Sequence, residues 1–262
     1  MSQVDDKLYL ARICYMSDLS EEVLKYIEEV IILKDGNINE EEKNILFNSL
    51  KKLINFRRES WRTINALESK EIKNNSSLLP RVKELKSNLA EEIKTYVNKG
   101  LQLIDDKLLK EDISDELKAM YFKIKGDYTR YIMELTPKDR EEELSILKDK
   151  ADEFYKNGLN ICESMSNLNT TKVGLILNYT VFLYEIVKDY KNAYIVANNT
   201  YQKITKSLND DNYDLSLLKD LNKMLNILKE NISKWADTVV PEKVENIASD
   251  VKPENIEAPS PQ

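Results

Sequence analysis

The sequence predicts an all-α protein, and three observations indicate this class. The 262 residues include only 5 glycines and 6 prolines, and no proline occurs between Pro137 and Pro241. The chain is rich in Leu, Lys, Glu and Ile, and its apolar residues recur at intervals of three and four positions, as in amphipathic helices. The interruptions of this pattern are short, so we expect consecutive helices to pack as antiparallel neighbours.

Periodicity and end signals divide the chain into nine predicted helices. Asn39 and Glu42 have the spacing of a capping box, and Pro80 stands where the first turn of a helix tolerates proline. After Pro80, apolar residues from Val82 to Leu108 form one stripe, which predicts a long helix with a buried side. The nine predicted ranges are 8–16, 21–33, 39–70, 80–108, 114–135, 138–165, 171–187, 190–208 and 215–237.

Composition excludes several classes of function. The chain has no histidine, no glycine-rich phosphate loop and only two separated cysteines, Cys14 and Cys162, so we expect neither an enzyme nor a cofactor or metal site. A net charge of -7 argues against nucleic-acid binding. The polar start of the chain and the lack of a long apolar run predict no membrane partner and a cytosolic or nucleocytoplasmic protein.

The composition changes near the end of the chain. Residues 241–262 hold four of the six prolines, no aromatic residue, and two lysines against five acidic residues, a charge of -3. Such a segment cannot bury much apolar surface. We therefore predict one helical domain over residues 1–238 and a flexible acidic tail over residues 239–262.

The third predicted helix carries a basic line. Lys51, Arg58 and Arg62 are spaced i, i+7 and i+11, so they lie within about 20° of one line along the helix. The planar fork of arginine donates two parallel charged hydrogen bonds to a phosphate or carboxylate. The alternative is that this line is only the solvated side of an amphipathic helix.

The fifth predicted helix places charges among aromatic and apolar residues. Lys123, Asp127, Arg130 and Glu134 form one line, and Tyr131 follows Arg130. Alternating charges on a helix can be surface pairs. Their apolar surroundings suggest instead that they are buried and paired, and that they hold Arg130 in position. The Tyr131 hydroxyl would supply a neutral donor to an anion.

Two asparagines lie within apolar stripes of later helices. Asn178 shares a line with Val181 and Glu185, and Asn231 shares one with Ile227 and Trp235. A buried amide must find hydrogen-bond partners. These partners are either other side chains of the core or the main chain of an extended bound peptide.

Four segments resemble the conserved blocks of the 14-3-3 family, in the same order: residues 57–62, 123–131, 174–186 and 230–235. The resemblance extends over roughly residues 8–237. It implies nine antiparallel helices that form a cup-shaped groove, assembly into a homodimer or heterodimer, and no catalysis. It also implies that the protein is an adaptor that binds phosphoserine or phosphothreonine segments of client proteins.

The resemblance also implies roles for individual residues. Lys51, Arg58, Arg130 and Tyr131 would hold the phosphate. The residues that would contact the rest of the peptide are Lys123, Leu177, Asn178, Val181, Glu185, Ile227, Asn231 and Trp235.

The chain departs from the family pattern at several positions. Asn55 replaces a glycine of the third helix, Lys234 replaces an apolar residue before the last tryptophan, and the approach to the last helix is longer near residues 214–218. The first helix is more apolar than the charge-paired first helix of the family's dimers. These departures bear on peptide selectivity and on dimer formation rather than on phosphate binding.

Ser260 suggests a regulatory role for the tail. The family also recognises phosphoserine close to a free carboxylate, and Ser260 stands near the end of this sequence. One hypothesis is that phosphorylated Ser260 docks in the groove of its own or a partner subunit and competes with clients; the alternative is an idle, proline-flanked serine. The competing function for the whole chain is a phosphate-independent helical scaffold that binds unmodified or acidic peptides.

Overall fold

The structure, a computed structural model, describes residues 2–210 and 215–248. In these residues the backbone forms nine α-helices, two π-helical turns and no strand, which confirms the all-α prediction. The described helices group into two compact units, unit 1 and unit 2, which divide after Ala151, within α6 (Glu141–Ile161). Each unit has its own apolar core.

Unit 1 contains five complete helices, one π-helical turn and the first half of α6. These elements are α1 (Gln3–Met16), α2 (Ser20–Leu33), α3 (Glu40–Lys73), α4 (Leu79–Leu103), π1 (Ile104–Leu108) and α5 (Asp115–Leu135). Helices that follow one another along the chain pack together from α1 to α5, as their short connections require. Aliphatic side chains fill the core, and the fully buried ones include Ile27, Leu46, Ile54, Ile93 and Ile104.

Unit 2 contains the second half of α6, three further helices and the second π-helical turn. These are α7 (Thr170–Phe182), π2 (Leu183–Val187), α8 (Tyr190–Asp210) and α9 (Leu215–Ala248). Helices α7, α8 and α9 all contact one another. Their shared core includes Val173, Ala193, Ala197, Leu221 and Leu228.

Two local features position the helices that carry the predicted phosphate site. At the start of α3, Asn39 accepts the backbone N–H of Glu42 at 3.0 Å and the Glu42 carboxylate accepts the N–H of Asn39 at 2.9 Å, which confirms the capping box. Where α4 meets α5, a Cβ atom on Gly100 would lie 2.5 Å from the Tyr128 ring. Glycine therefore lets α5 approach α4 closely, just before Arg130 and Tyr131.

The structure differs from the prediction at some helix ends. Helix α9 continues to Ala248 rather than ending at residue 237, so Pro241 lies within the helix rather than beyond its end. The stripe of α4 is buried from Ile93 onward, but Leu85 is half-exposed, since the end of α3 and the start of α4 extend beyond the core. The prediction of a longer approach to the last helix concerns residues 211–214 and the side chains at 215–218, which lie outside the described residues. The Ser260 hypothesis concerns residues 249–262, which also lie outside them.

Candidate functional site

Arg58 and Arg62, one turn apart on α3, both bind the carboxylate of Glu134 on α5. Arg58 donates from Nε and Nη2 to Glu134 Oε2, at 3.0 and 2.7 Å. Arg62 donates from Nε to Glu134 Oε1. The Arg58 side chain is buried, with only 10% of its surface exposed, so at this position the basic line is not a solvated helix face.

Tyr131 lies against two guanidinium groups from different helices. The Arg58 Cζ atom is 3.5 Å from the centroid of the Tyr131 ring, and the Arg130 Cζ atom is 5.3 Å from it. Both distances are within the range of favourable cation–π contacts. The ring therefore joins the arginine of α3 to the arginine of α5.

Asp127 lies between two cations of α5. Its side chain is buried and accepts a hydrogen bond from Lys123 Nζ at 3.0 Å. It also forms an ion pair with Arg130, whose Nη2 lies 3.7 Å from Asp127 Oδ1. This arrangement confirms the prediction that the charged line of α5 is buried and paired. The ion pair with Asp127, three residues earlier on the same helix, also restrains the Arg130 side chain.

The surroundings fix the charge states of Glu134 and Tyr131. Burial of Glu134 favours its neutral form, but the Arg62 hydrogen bond and the charges of Arg58 and Arg62 outweigh that effect and hold its pKa below the ordinary value. Burial, reinforced by the charge of Asp127, raises the pKa of Tyr131. At neutral pH Glu134 is therefore a carboxylate and Tyr131 keeps its hydroxyl proton.

Lys51 lies on the same face of α3 as Arg58, two turns earlier, and its side chain is exposed. Within the described residues it makes no ion pair. We call the following set the basic cluster: Lys51, Arg58, Arg62, Lys123, Asp127, Arg130, Tyr131 and Glu134. Five cations less two carboxylates leave it a formal charge of +3, in a chain whose net charge is -7.

The predicted peptide contacts of unit 2 lie on α7, π2 and α9. Leu177 and Trp235 are buried in the core of the unit, Val181 is half-buried against the same core, and Ile227 is half-exposed. The Trp235 ring stacks on Tyr184 with a centroid distance of 4.6 Å. The Tyr184 hydroxyl is 2.9 Å from Oγ1 of Thr238, so π2 is joined to α9 by two contacts.

The polar residues of unit 2 differ in exposure. Asn178 on α7 and Asn231 on α9 are partly buried, and Glu185 on π2 is exposed. The Nδ2 atom of Asn231 is buried and makes no hydrogen bond within the part of the chain that the structure describes. A buried amide donor without an acceptor destabilises the folded state, so a ligand carbonyl that accepted from it would bind favourably.

The structure brings Arg58, Arg130, Tyr131 and Lys123 together in unit 1. The remaining predicted contacts, apart from Lys51, lie in unit 2. Sequence reasoning did not include Glu134 or Arg62 among the site residues. The signal for Glu134 was present, because it continues the line of Asp127 and Arg130 on α5, but charge alone does not predict a carboxylate beside residues that are expected to bind phosphate.

In the described ranges, no group of three or more cysteine, aspartate or glutamate side chains is arranged to hold a metal ion. None of the helices in those ranges is long and apolar enough to cross a membrane.

The structure thus shows an all-helical protein with a cluster of basic side chains on α3 and α5. The family model described as 14-3-3 protein matches residues 10–236, and the chain belongs to the 14-3-3 family. Membership in this family supports an adaptor that binds client proteins, and it supports dimer formation in general.

Relatives at moderate identity cover nearly the whole chain. 14-3-3 protein 2 of Entamoeba histolytica is 28% identical over 236 residues, 90% of this chain and 97% of the relative. 14-3-3-like protein F of Nicotiana tabacum is 28% identical over 261 residues, 98% of this chain and 99% of the relative. A 14-3-3 protein homolog of Trichoderma harzianum is 29% identical over 236 residues, 89% and 88% of the two chains.

Proposed function

We propose that this protein is a non-catalytic adaptor that binds phosphoserine or phosphothreonine segments of client proteins, with the phosphate held by the basic cluster. The observation that carries the proposal is the pair of arginines, Arg58 and Arg130, placed from two helices against the single ring of Tyr131. A cluster of formal charge +3 suits a group that carries about -1.5 to -2 at neutral pH.

Each member of the proposed phosphate site would contribute in a different way. Arg58, Arg130 and Lys51 would donate charged hydrogen bonds, which contribute about 1.5–3 kcal/mol each. Tyr131 would add a neutral hydroxyl donor, because burial keeps it protonated. Together these donors would favour a phosphorylated peptide over the plain peptide by several kcal/mol.

Asparagines of unit 2 would bind the main chain of a client peptide. The buried amide donor of Asn231 supports this role, since a peptide carbonyl would supply the acceptor that it needs. Asn178 would make a second such contact. The other proposed contacts are Lys123, Leu177, Val181, Glu185, Ile227 and Trp235.

A binding array tests the proposal against the alternative of a phosphate-independent scaffold. The array presents each peptide in phosphorylated and plain form to the wild-type protein at physiological salt. We expect binding to many phosphorylated members and to few of their plain partners. Equal binding of both forms, or a preference for acidic peptides without phosphate, would support the scaffold instead.

We also propose that the chain forms a dimer through exposed apolar surfaces of unit 1. Tyr9, Leu10, Ile13 and Met16 form an exposed apolar face on α1, and Met16 is 77% exposed. A second exposed apolar surface lies where α3 ends and α4 begins: Leu67, Ile72, Leu78 and Leu85. A solvated monomer rarely exposes surfaces of this kind, and a second copy of the chain would cover them. An identical second copy would give a homodimer, and a related chain would give a heterodimer.

Autoinhibition by the tail is part of the proposal. Phosphorylated Ser260 would occupy the basic cluster of its own or a partner subunit and compete with clients. Intact mass before and after phosphatase treatment, with client affinity measured in both states, tests this point. We expect dephosphorylation to strengthen client binding; unchanged affinity would mean that phosphorylated Ser260 does not compete with clients.

We also propose that the protein meets its clients in the cytosol or nucleus.

A further inference from the structure

We infer that Glu134 is a positioning residue for phosphate recognition: its carboxylate holds the Arg58 guanidinium in the orientation that an incoming phosphate needs. The inference rests on the proposed function of the basic cluster. It assigns a binding role to a residue of α5 that would not itself touch the phosphate.

The geometry restrains Arg58 from two directions. Glu134 Oε2 accepts from the Nε and Nη2 edge of the guanidinium, and the Tyr131 ring lies against its face at 3.5 Å. Tyr131 and Glu134 are three residues apart on α5 and therefore share one side of that helix. The Nη1 donors of Arg58 make no hydrogen bond in the described part of the chain, so this edge is the one that an anion can use.

Arg62 strengthens the restraint. Its Nε donates to the other oxygen of the same carboxylate, so Glu134 is itself fixed between two arginines. Without that carboxylate, the like charges of Arg58, Arg62 and Arg130 would repel one another and the long side chains would turn away. Holding a side chain with many rotamers in its bound orientation reduces the entropy lost on binding.

The negative charge of Glu134 also acts against the proposal, because it repels a phosphate. Two substitutions separate the effects. Glu134→Asp keeps the charge but is one methylene shorter, so the carboxylate cannot reach both arginines in the same way. Glu134→Gln keeps the length but removes the charge.

The experiment is a calorimetric titration with one phosphopeptide from the array and with its plain form, on wild type, Glu134→Asp and Glu134→Gln. The matched control is Glu68→Asp, which shortens a buried carboxylate of α3 that binds Lys86 and does not contact Arg58. We expect Glu134→Asp to weaken phosphopeptide binding by about 3- to 10-fold, the scale of one or two released side chains, with plain-peptide binding unchanged. Glu68→Asp should lower thermal stability without changing the preference for phosphate.

A phosphopeptide affinity that Glu134→Asp leaves at the wild-type value would overturn the inference. If Glu134→Gln then also bound more tightly than wild type, Glu134 would be only an opposing charge. A wild-type protein that does not distinguish the two peptides would instead contradict the proposed function itself.

A second measurement applies if Glu134→Asp does not fold. In nitrogen-15 spectra of the wild-type protein without peptide, we expect the Arg58 Nε–H signal to be sharp and slowly exchanging. Addition of the phosphopeptide should leave that edge in place and shift the Nη signals. A broad, exchange-averaged Nε–H signal in the free protein would overturn the inference.

Discussion

Tyr131 connects the two arginines on which the proposed phosphate site depends. Its ring packs against Arg58 of α3 and lies near Arg130 of α5, and burial raises the pKa of its hydroxyl. The residue therefore combines two contributions, a cation–π contact that orients Arg58 and a hydroxyl that can donate to an oxyanion. One substitution separates the contribution of the ring from that of the hydroxyl.

Tyr131→Phe keeps the ring and removes the hydroxyl. We expect the free energy of unfolding to change little and phosphopeptide binding to weaken by about 1.5–3 kcal/mol, the value of a hydrogen bond to a charged group. Calorimetry with the phosphorylated and plain peptides measures the effect. The matched control is Tyr194→Phe on α8, a half-buried tyrosine outside the basic cluster. Equal affinity of wild type and Tyr131→Phe would exclude the hydroxyl from the site.

The pH dependence of binding should follow the ligand rather than the protein. The chain has no histidine that could titrate near pH 6. Glu134 does not titrate there either, because its arginines hold its pKa below the ordinary value. Free phosphoserine has a second pKa of about 6, and the basic cluster favours the dianion and lowers that pKa in the complex. Affinity should therefore be full above about pH 6 and fall at lower pH. Titrations across this range that gave a constant affinity would contradict binding of the dianion.

At the scale of helices, the approach of α4 to α5 fixes the place of Arg130 and Tyr131. Gly100→Val would bring its side chain against the buried ring of Tyr128, which stands only 2.5 Å from the ideal Cβ position. We expect a loss of about 1–3 kcal/mol in the free energy of unfolding, as for other overpacked sites, and weaker phosphopeptide binding.

Asn98→Val is the control for Gly100→Val, since it adds the same side chain on the exposed face of the same helix. Thermal or urea unfolding followed by circular dichroism measures both variants. If Gly100→Val were as stable as Asn98→Val, the close contact between α4 and α5 would not be required.

The sequence predicted most of the helices because their signals are local. The capping box of Asn39 and Glu42 marked the start of α3, and three- and four-residue periodicity marked its buried side. The π-helical turns at Ile104–Leu108 and Leu183–Val187 were not predicted, since a single wider turn leaves the apolar spacing nearly unchanged. The exposure of Leu85 was missed because periodicity shows which side of a helix is apolar but not where the neighbouring core ends.

The site was predictable where its residues share one helix line. Arg58 and the line from Lys123 to Glu134 were visible as spacing, and the pairing of Asp127 was expected. The contact of Arg58 with Glu134 joins residues 76 positions apart and depends on how α3 and α5 pack. No pattern within either helix could have shown it.

At the scale of the whole molecule, the apolar face of α1 predicts how subunits associate. Met16→Glu places a charge in the proposed dimer surface, and we expect it to give monomers, because burying an unpaired charge is costly. Ile146→Glu on α6 is the control, since Ile146 is also exposed and apolar but lies on neither proposed surface. Light scattering after size-exclusion chromatography measures the mass of each variant. High salt should not dissociate the wild-type dimer, because apolar contacts are not screened. A Met16→Glu protein that remained dimeric would contradict this surface.

The central claim is that a phosphate binds between Arg58 and Arg130. The most direct test titrates one peptide in three forms, with phosphoserine, with glutamate in its place and unmodified, into wild type and into Arg58→Ala/Arg130→Ala. We predict that wild type binds the phosphoserine form far more tightly than the other two. Each alanine substitution should cost roughly 2–5 kcal/mol, so the double variant should bind all three forms alike. A double variant that titrates the phosphopeptide as wild type does would contradict the account.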